Sequence, residues 1–305
     1  MVISEIQADI ERIENDASLY NETNFDNRAN AIDFIDFHII DRIDGLQQNA
    51  GPLKELDALM QHAIQVKRRL EKIDAGLFKQ LRQNISTGVY AASSFSEMVC
   101  KYVGGSAWNA GRQEKAGYDN LDIFINGLLS AGPLPEATTE REPGMVFYQQ
   151  TPARIIFELA EQAQLNREDV FFDIGSGLGH VAILVNLLSG ATTIGTEYEP
   201  AYCNYANTCT SQLNLPDVQF VNADARYADY SRGTVFFMYT PFGGSILDDM
   251  LGVLQKESQK RNIRIFTYGP CSPHVFRQAW LECVNGEGDN VYKLYEFKSR
   301  TEGSV

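Results

Sequence analysis

The chain has 305 residues, with 26 Lys and Arg against 40 Asp and Glu, for a formal charge of −14. Hydrophobic residues at 44% and charged residues at 22% exclude a mainly disordered chain and a collagen-like one, and the length allows one large domain or two smaller ones. So large an acidic excess disfavours general binding of phosphate backbones, so nucleic acid is not an expected partner.

The first part of the chain has helical periodicity. Ile3, Ile6, Ile10 and Ile13 recur at helical spacing, and so do Ile32, Phe34, Ile35, Ile39, Ile40 and Ile43, with Asp33, Asp36, Asp41 and Asp44 between them. Pro52 opens a third stretch, where its missing N–H costs little. That stretch runs through Leu56, Leu59, Met60 and Ile64 to Leu70 and Ile73. Its basic residues Lys67, Arg68, Arg69, Lys72, Lys79 and Arg82 read as a solvated helix face. Shorter helical patterns follow near Ser94–Tyr102 and Leu121–Leu129, and no alternation of β-branched residues marks a strand here.

A Pro- and Gly-rich stretch, Ala131-Gly132-Pro133-Leu134-Pro135 to Glu142-Pro143-Gly144, reads as a linker. The expected organisation is a helical domain over 1–132, a linker over 133–147 and a second domain over 148–305. In the second domain short β-rich runs alternate with helical ones. Strands are expected at Val170–Ile174, Thr192–Glu197, Val218–Asn222, Thr234–Tyr239 and Ile263–Tyr268. Helices are expected at Gly179–Ser189 and Ala201–Leu213. Val291–Lys298 is expected to pair with residues before the turn Asn285-Gly286-Glu287-Gly288. Such alternation predicts a parallel sheet covered by helices.

The cysteines Cys100, Cys203, Cys209, Cys271 and Cys283 are odd in number and have no CxxC spacing, which reads as a reduced chain with buried thiols. The histidines His38, His62, His180 and His274 are scattered, so no metal is expected. No secretory pattern opens the chain, and the apolar run Val181–Leu188 is too short to span a bilayer. A soluble, cytoplasmic protein with no membrane partner is expected.

The informative stretch is Val170-Phe171-Phe172-Asp173-Ile174-Gly175-Ser176-Gly177-Leu178-Gly179-His180. An apolar strand runs into a glycine turn that opens a helix, so the backbone can approach a nucleotide closely. The spacing is GxGxG rather than the dinucleotide GxGxxG. Asp173, two residues before the first glycine, would repel a pyrophosphate at that helix start and suits a cationic ligand bearing an amine. Glu197 ends the second strand, where a carboxylate can accept ribose hydroxyls. Asp224, in Ala223-Asp224-Ala225, ends the third, where a polar group can meet an adenine amino group. A nucleoside with an amino-acid tail and no phosphates fits these features. His180, at the helix start, reads as a capping or packing residue, and His274 as a base candidate by position alone.

With these residues in place, the chain from about Tyr148 onwards resembles the class I S-adenosylmethionine-dependent methyltransferases. The resemblance implies a seven-stranded, mostly parallel Rossmann-like α/β sheet with an antiparallel last strand, here preceded by an all-helical N-terminal domain. It implies S-adenosylmethionine as cofactor and S-adenosylhomocysteine as product. Asp173 is then expected at the methionine end, Glu197 at ribose and Asp224 with Ala225 at adenine. Gly175, Ser176, Gly177 and Gly179 form the loop. Upstream, Val146-Phe147-Tyr148-Gln149-Gln150-Thr151-Pro152 places a good N-cap, Thr151, before a good first helical residue. Tyr148, Thr151 and Asp-x-Gly-Ser-Gly-x-Gly together resemble the non-SET histone-lysine methyltransferases, the disruptor-of-telomeric-silencing family. In that family the matching tyrosine and threonine lie in a loop over the cofactor. Phe236-Phe237-Met238-Tyr239-Thr240-Pro241-Phe242-Gly243 is similar to that family's fourth strand and loop, except that the family has asparagines where this chain has Tyr239-Thr240. The family's basic nucleosome-binding extension has no counterpart, so the likeness implies shared architecture more than a shared substrate.

Methyl transfer from a sulfonium is an in-line displacement, and the protein must hold an N or O nucleophile in line. A lysine acceptor must attack unprotonated, which costs about 4–5 kcal/mol at pH 7 from its reference pKa, and an apolar aromatic pocket lowers that cost. Tyr148, Tyr239 and Phe242 are the candidate catalytic residues, with Phe147 and Tyr268 near them. The missing Asn-Pro-Pro-Tyr argues against glutamine or adenine as acceptor. The acceptor is read as a protein side chain such as lysine, or else a small molecule. A non-catalytic cofactor-binding module stands as the alternative, and a nicotinamide oxidoreductase is disfavoured by Asp173. The helical domain is expected to shape or cover the acceptor site, and a homodimer is compatible with this reading.

Overall fold

The computed structural model describes residues 2–50, 53–90, 92–104 and 117–300. It divides into two compact units: of the described residues, 2–50, 53–84, 97–104 and 118–128 belong to the first, and 85–90, 92–96, 117 and 129–300 to the second.

The first unit is helical. Helix α1 (Val2–Glu14) is followed by α2 (Phe25–Phe34), a π-turn (Ile35–Ile40) and α3 (Asp41–Ala50), which run on without a break. The wider π-turn suits a spacing of four, and Ile35, Ile39 and Ile43 are all buried, packed with Ile6, Ile10 and Ile13 of α1. Helix α4 (Lys54–Ser86) supplies Leu56, Ala63, Val66 and Leu70 to the same core. Pro52, expected to open that helix, lies outside the described residues. The helix runs well beyond Ile73 because Leu77, Leu81 and Ile85 continue the buried stripe. Its basic residues are not a bare solvated face: Lys67 pairs with Asp36 at 2.6 Å, Arg69 with Glu14, and Arg82 donates to the Gly127 carbonyl at 2.6 Å. Helices α5 (Ala92–Val103) and α6 (Asn120–Leu128) follow at the expected places.

The second unit is a seven-stranded sheet in the order β3-β2-β1-β4-β5-β7-β6. The strands are β1 (Val170–Ile174), β2 (Thr192–Glu197), β3 (Val218–Asn222), β4 (Val235–Met238), β5 (Arg264–Thr267), β6 (Leu281–Cys283) and β7 (Tyr295–Ser299). The first five run parallel; β7 lies antiparallel between β5 and β6. The last strand begins at Tyr295 rather than Val291, because the amides of Tyr292 and Lys293 are spent on Asn290 in the preceding turn. Strand β1 reads VFFDI without alternation, as a strand covered on both faces should. The connecting helices are α7 (Ala153–Ala163), α8 (His180–Ser189), α9 (Pro200–Leu213), α10 (Gly244–Ser258) and α11 (Ser272–Phe276). Every residue of α8 from His180 to Leu187 is buried, so it is apolar on all sides rather than amphipathic. Strand β1 has β2 on one side and β4 on the other, so successive connections leave it in opposite directions. That switch point opens a crevice at the carboxyl ends of the strands.

The stretch expected to be a linker is built into this unit. Gly144 accepts from the Gly243 amide at 2.9 Å, and the Val146 amide donates to the Pro241 carbonyl at 3.2 Å. Met145 and Phe242 form an antiparallel bridge. Composition signalled the irregular backbone correctly but not these contacts, which come from residues about 100 positions downstream.

Among the described residues no helix is long and apolar enough to cross a membrane, and no cluster of His, Cys, Asp and Glu could hold a metal ion.

Candidate active site

The glycine loop is stitched to the end of β2. The amides of Gly175 and Ser176 donate to the Thr196 carbonyl at 2.9 and 3.0 Å, and the Gly177 amide donates to Glu197 Oε2 at 2.7 Å. Gly175 has φ +77°, and a Cβ there would lie 2.3 Å from the Pro241 side chain; Gly177 has φ +52°, and its Cβ would lie 2.3 Å from the Tyr148 ring. Both positions therefore need glycine for conformation and for close approach. Gly179, expected to touch the cofactor, is not in the wall of the cleft. A Cβ there would meet Phe220 at 2.5 Å and Ala206 at 2.8 Å, so it serves helix–strand packing.

An open cleft of about 210 Å³ lies over the carboxyl ends of β1 to β4. Gly175, Gly177, Glu197, Asp224, Ala225, Tyr148, Tyr239 and Phe242 all line it. Beside it, a smaller pocket is lined by Thr151, Asp173, Ser176 and His180, and shares Tyr148, Gly175 and Tyr239 with the larger one. The residues expected from sequence are thus brought together in two adjoining hollows, with Gly179 behind them.

Asp173 sits on β1 between Gly195 of β2 and Phe237 of β4 and is 3% exposed. Its Oδ2, the Ser176 Oγ and the His180 Nδ1 have no hydrogen-bond partner in the protein. Burial first, and the neighbouring Glu197 second, raise the Asp173 pKa to about 8. Burial alone lowers that of His180 to about 4, so its ring is neutral. Buried polar groups are normally satisfied. Three orphans in one small pocket, one a carboxyl short of a positive neighbour, fit a ligand that brings an ammonium and a sulfonium. His180 is neither a cap nor simple packing: Gly179 is the N-cap, and the ring faces this pocket.

Glu197 also caps the chain that follows, accepting the Glu199 amide at 2.8 Å. Burial holds its pKa up. Each carboxylate oxygen has a further lone pair, which a ribose hydroxyl could take. Asp224 is engaged by Arg226, with Nε at 3.0 Å and Nη2 at 2.6 Å, and this guanidinium holds its pKa down. An adenine amine would therefore meet a carboxylate that is already ionised and oriented.

Thr151 was expected to cap α7. Pro152 takes the N-cap place with no side-chain cap bond, and Thr151 is buried in the wall of the small pocket instead. Phe242 is 5% exposed and packs with Ile246 and Met250 in the sheet core, so it is wall rather than an exposed platform. Tyr268 stands behind Tyr239, ring centroids 5.2 Å apart, and not in the lining. His274 is on the surface, 2.6 Å from Asp248, away from the cleft.

Sequence reasoning passed over Glu199, Arg226 and Tyr202. Glu199 N-caps α9, accepting the Ala201 amide at 3.0 Å, and the signal was present as an acidic residue before Pro200 at a helix start. Thr240 has φ +42°, unusual for a β-branched residue. Its Oγ1 donates to the Tyr268 carbonyl at 3.3 Å and accepts from the Cys271 amide at 3.2 Å, which holds the loop after β4 in that form.

Residues 144–228 match the family model "Histone methylation protein DOT1". No curated protein matches the chain. Similar solved structures include an RNA methyltransferase from Salinibacter ruber in complex with S-adenosyl-L-homocysteine (23% identity, 50% of this chain and 92% of that one, TM-score 0.40). They also include a precorrin-6y C5,15-methyltransferase from Geobacter metallireducens (15%, 52% and 94%, TM-score 0.39). A SAM-dependent methyltransferase from Aquifex aeolicus is a third (14%, 49% and 93%, TM-score 0.38). By its strand order and by the family match, the second unit has the class I S-adenosylmethionine-dependent methyltransferase fold, with a DOT1-like segment carrying the glycine loop and the Glu197 and Asp224 strand ends.

Proposed function

We propose that the chain is an S-adenosylmethionine-dependent methyltransferase acting on an amine, with a protein side chain such as lysine as acceptor. The observation that carries the cofactor reading is the unpartnered Oδ2 of buried Asp173, beside the pocket-lining Gly175 and Ser176 and one strand away from Glu197. The cofactor supplies an activated methyl group on sulfur. The residues of this chain do the rest. Asp173 ionises against the positive amino-acid end, Glu197 takes the ribose hydroxyls, and Asp224 faces the adenine amine. Gly175 and Gly177 let the backbone come close. Tyr148 and Tyr239, which line both hollows, stand where the methyl group and the acceptor would meet. Once an acceptor packs against them and excludes water, their rings would disfavour an ammonium relative to a neutral amine.

A small-molecule acceptor is the second reading. It is favoured by Tyr239-Thr240, where the resembled family has asparagines, and by the formal charge of −14. Incubation with methyl-labelled S-adenosylmethionine and cell extract separates the two. Label in acid-precipitable protein supports the side-chain reading. Label confined to the small-molecule fraction overturns it.

A further inference from the structure

The segment upstream of the glycine loop is fastened across the cleft at three strand ends. Beyond β2, Thr138 Oγ1 and the Thr139 amide donate to Glu199 at 2.6 and 2.8 Å. Burial pushes the Glu199 carboxyl up, but Thr138, Ala201 and Thr139 together outweigh it and hold it at about 2. Beyond β3, Glu142 takes Arg226 Nη1 and Nη2 at 3.2 and 2.5 Å. Beyond β4 come the backbone links of Gly144 to Gly243 and Val146 to Pro241. Ala137, Thr139, Arg141, Met145 and Val146 line the cleft between these fastenings.

The three attachments differ in kind. The β4 end is joined by backbone bonds and a bridge and acts as the fixed end. The β2 and β3 ends are side-chain clasps that can open without disturbing the sheet. The clasp at β3 has a second feature, because one guanidinium holds both partners: Arg226 grips Asp224 with Nε and Nη2 and Glu142 with Nη1 and Nη2. The strap is therefore tied directly to the carboxylate that faces adenine.

We infer that residues 137–147 form a strap latched over the adenosyl end of the cleft by Glu142–Arg226–Asp224, and that Glu142 and Arg226 are positioning residues that set how long the cofactor stays bound. This rests on the cofactor reading above. A nucleoside beneath the strap contacts it along the cleft wall, so weakening the latch speeds release. Glu142 is 44% exposed and Arg226 16%, so the pair is partly solvated and its effect is bounded. Loss of such a pair is expected to raise the dissociation rate about three- to tenfold. Salt screens the same pair, so ionic strength should speed release in the parent chain and much less in a neutral variant.

The test is the dissociation rate of S-adenosylhomocysteine, timed by stopped-flow displacement, in the parent chain and in Glu142→Gln, Glu142→Asp and Thr138→Val. Glu142→Gln should release three- to tenfold faster with reduced salt dependence, Glu142→Asp should recover most of the parent rate, and Thr138→Val should also release faster. The unliganded thermal midpoint should stay within a degree or two. Rates within twofold of the parent for both Glu142→Gln and Thr138→Val overturn the latch. So does faster release that appears only with a lowered unliganded midpoint. If the parent chain binds no S-adenosylhomocysteine, the cofactor reading falls and the latch falls with it.

Discussion

Glu197 accepts the Gly177 amide at 2.7 Å, so the carboxylate proposed to bind ribose also fixes the glycine loop on which the cofactor would rest. One side chain thus shapes the floor of the cleft and offers its remaining lone pairs to the ligand. Glu197→Ala should remove both effects. Hydrogen bonds to a charged group contribute about 1.5–3 kcal/mol, so affinity for S-adenosylhomocysteine should fall roughly 10- to 150-fold. Titration calorimetry checks this, and unchanged affinity would detach Glu197 from the site.

Gly177 faces the Tyr148 ring at a backbone angle that disfavours any side chain. Gly177→Val should abolish cofactor binding while the circular dichroism of the folded chain stays close to that of the parent. A variant that binds normally would mean that the loop lies elsewhere than beneath the ligand.

Asp173 gives a pH signature. Its pKa is about 8 in the folded chain, against 3.8 as the unperturbed value, so the folded state holds the extra proton between those limits. Stability must then fall as pH rises through that window. His180 has the opposite sign: its folded pKa of about 4 lies below 6.5, so stability rises with pH between 4 and 6.5. Between pH 6.5 and 8 only Asp173 of this pair contributes. The parent chain should lose thermal stability across that interval, and Asp173→Asn should show a flatter profile. Equal slopes for both proteins would contradict the assignment.

Thr240 holds φ +42° with its hydroxyl bonded to both Tyr268 and Cys271. Thr240→Val keeps the branched Cβ and removes both bonds, and should cost about 1–3 kcal/mol in urea unfolding. Thr240→Gly loses the same bonds but relieves backbone strain of similar size, and should cost clearly less. Equal losses would show that the loop is not strained.

Much of the second unit was legible before the structure. Strands β1 and β4 follow from apolar runs because buried parallel strands need no alternation, whereas the edge strand β3 alternates buried Val218 and Phe220 with exposed Gln219 and Val221. Asp173, Glu197 and Asp224 were found by their common place at strand ends, and all three reach one pair of hollows. What was illegible depends on partners far apart in the chain. Arg28 reads as an ordinary polar residue of α2, yet it is wholly buried, with Nε 2.6 Å from Asp74 and Nη1 donating to the carbonyls of Leu19 and Asn21. The strap has the composition of a linker, and only Glu199 and Arg226 turn it into part of the site. Thr151 has the right chemistry for a cap, but Pro152 already occupies that place, which leaves Thr151 to the pocket. Local patterns foretold local backbone; they could not foretell which distant side chains would meet.

Calorimetric titration of S-adenosylhomocysteine into the parent chain and into Asp173→Ala is the most direct measurement. One-to-one binding by the parent, weakened at least tenfold in the variant while NAD(H) binds neither, is the expected result. Equal binding by the two proteins, or binding of NAD(H) in place of the thioether, would contradict the assignment of this pocket.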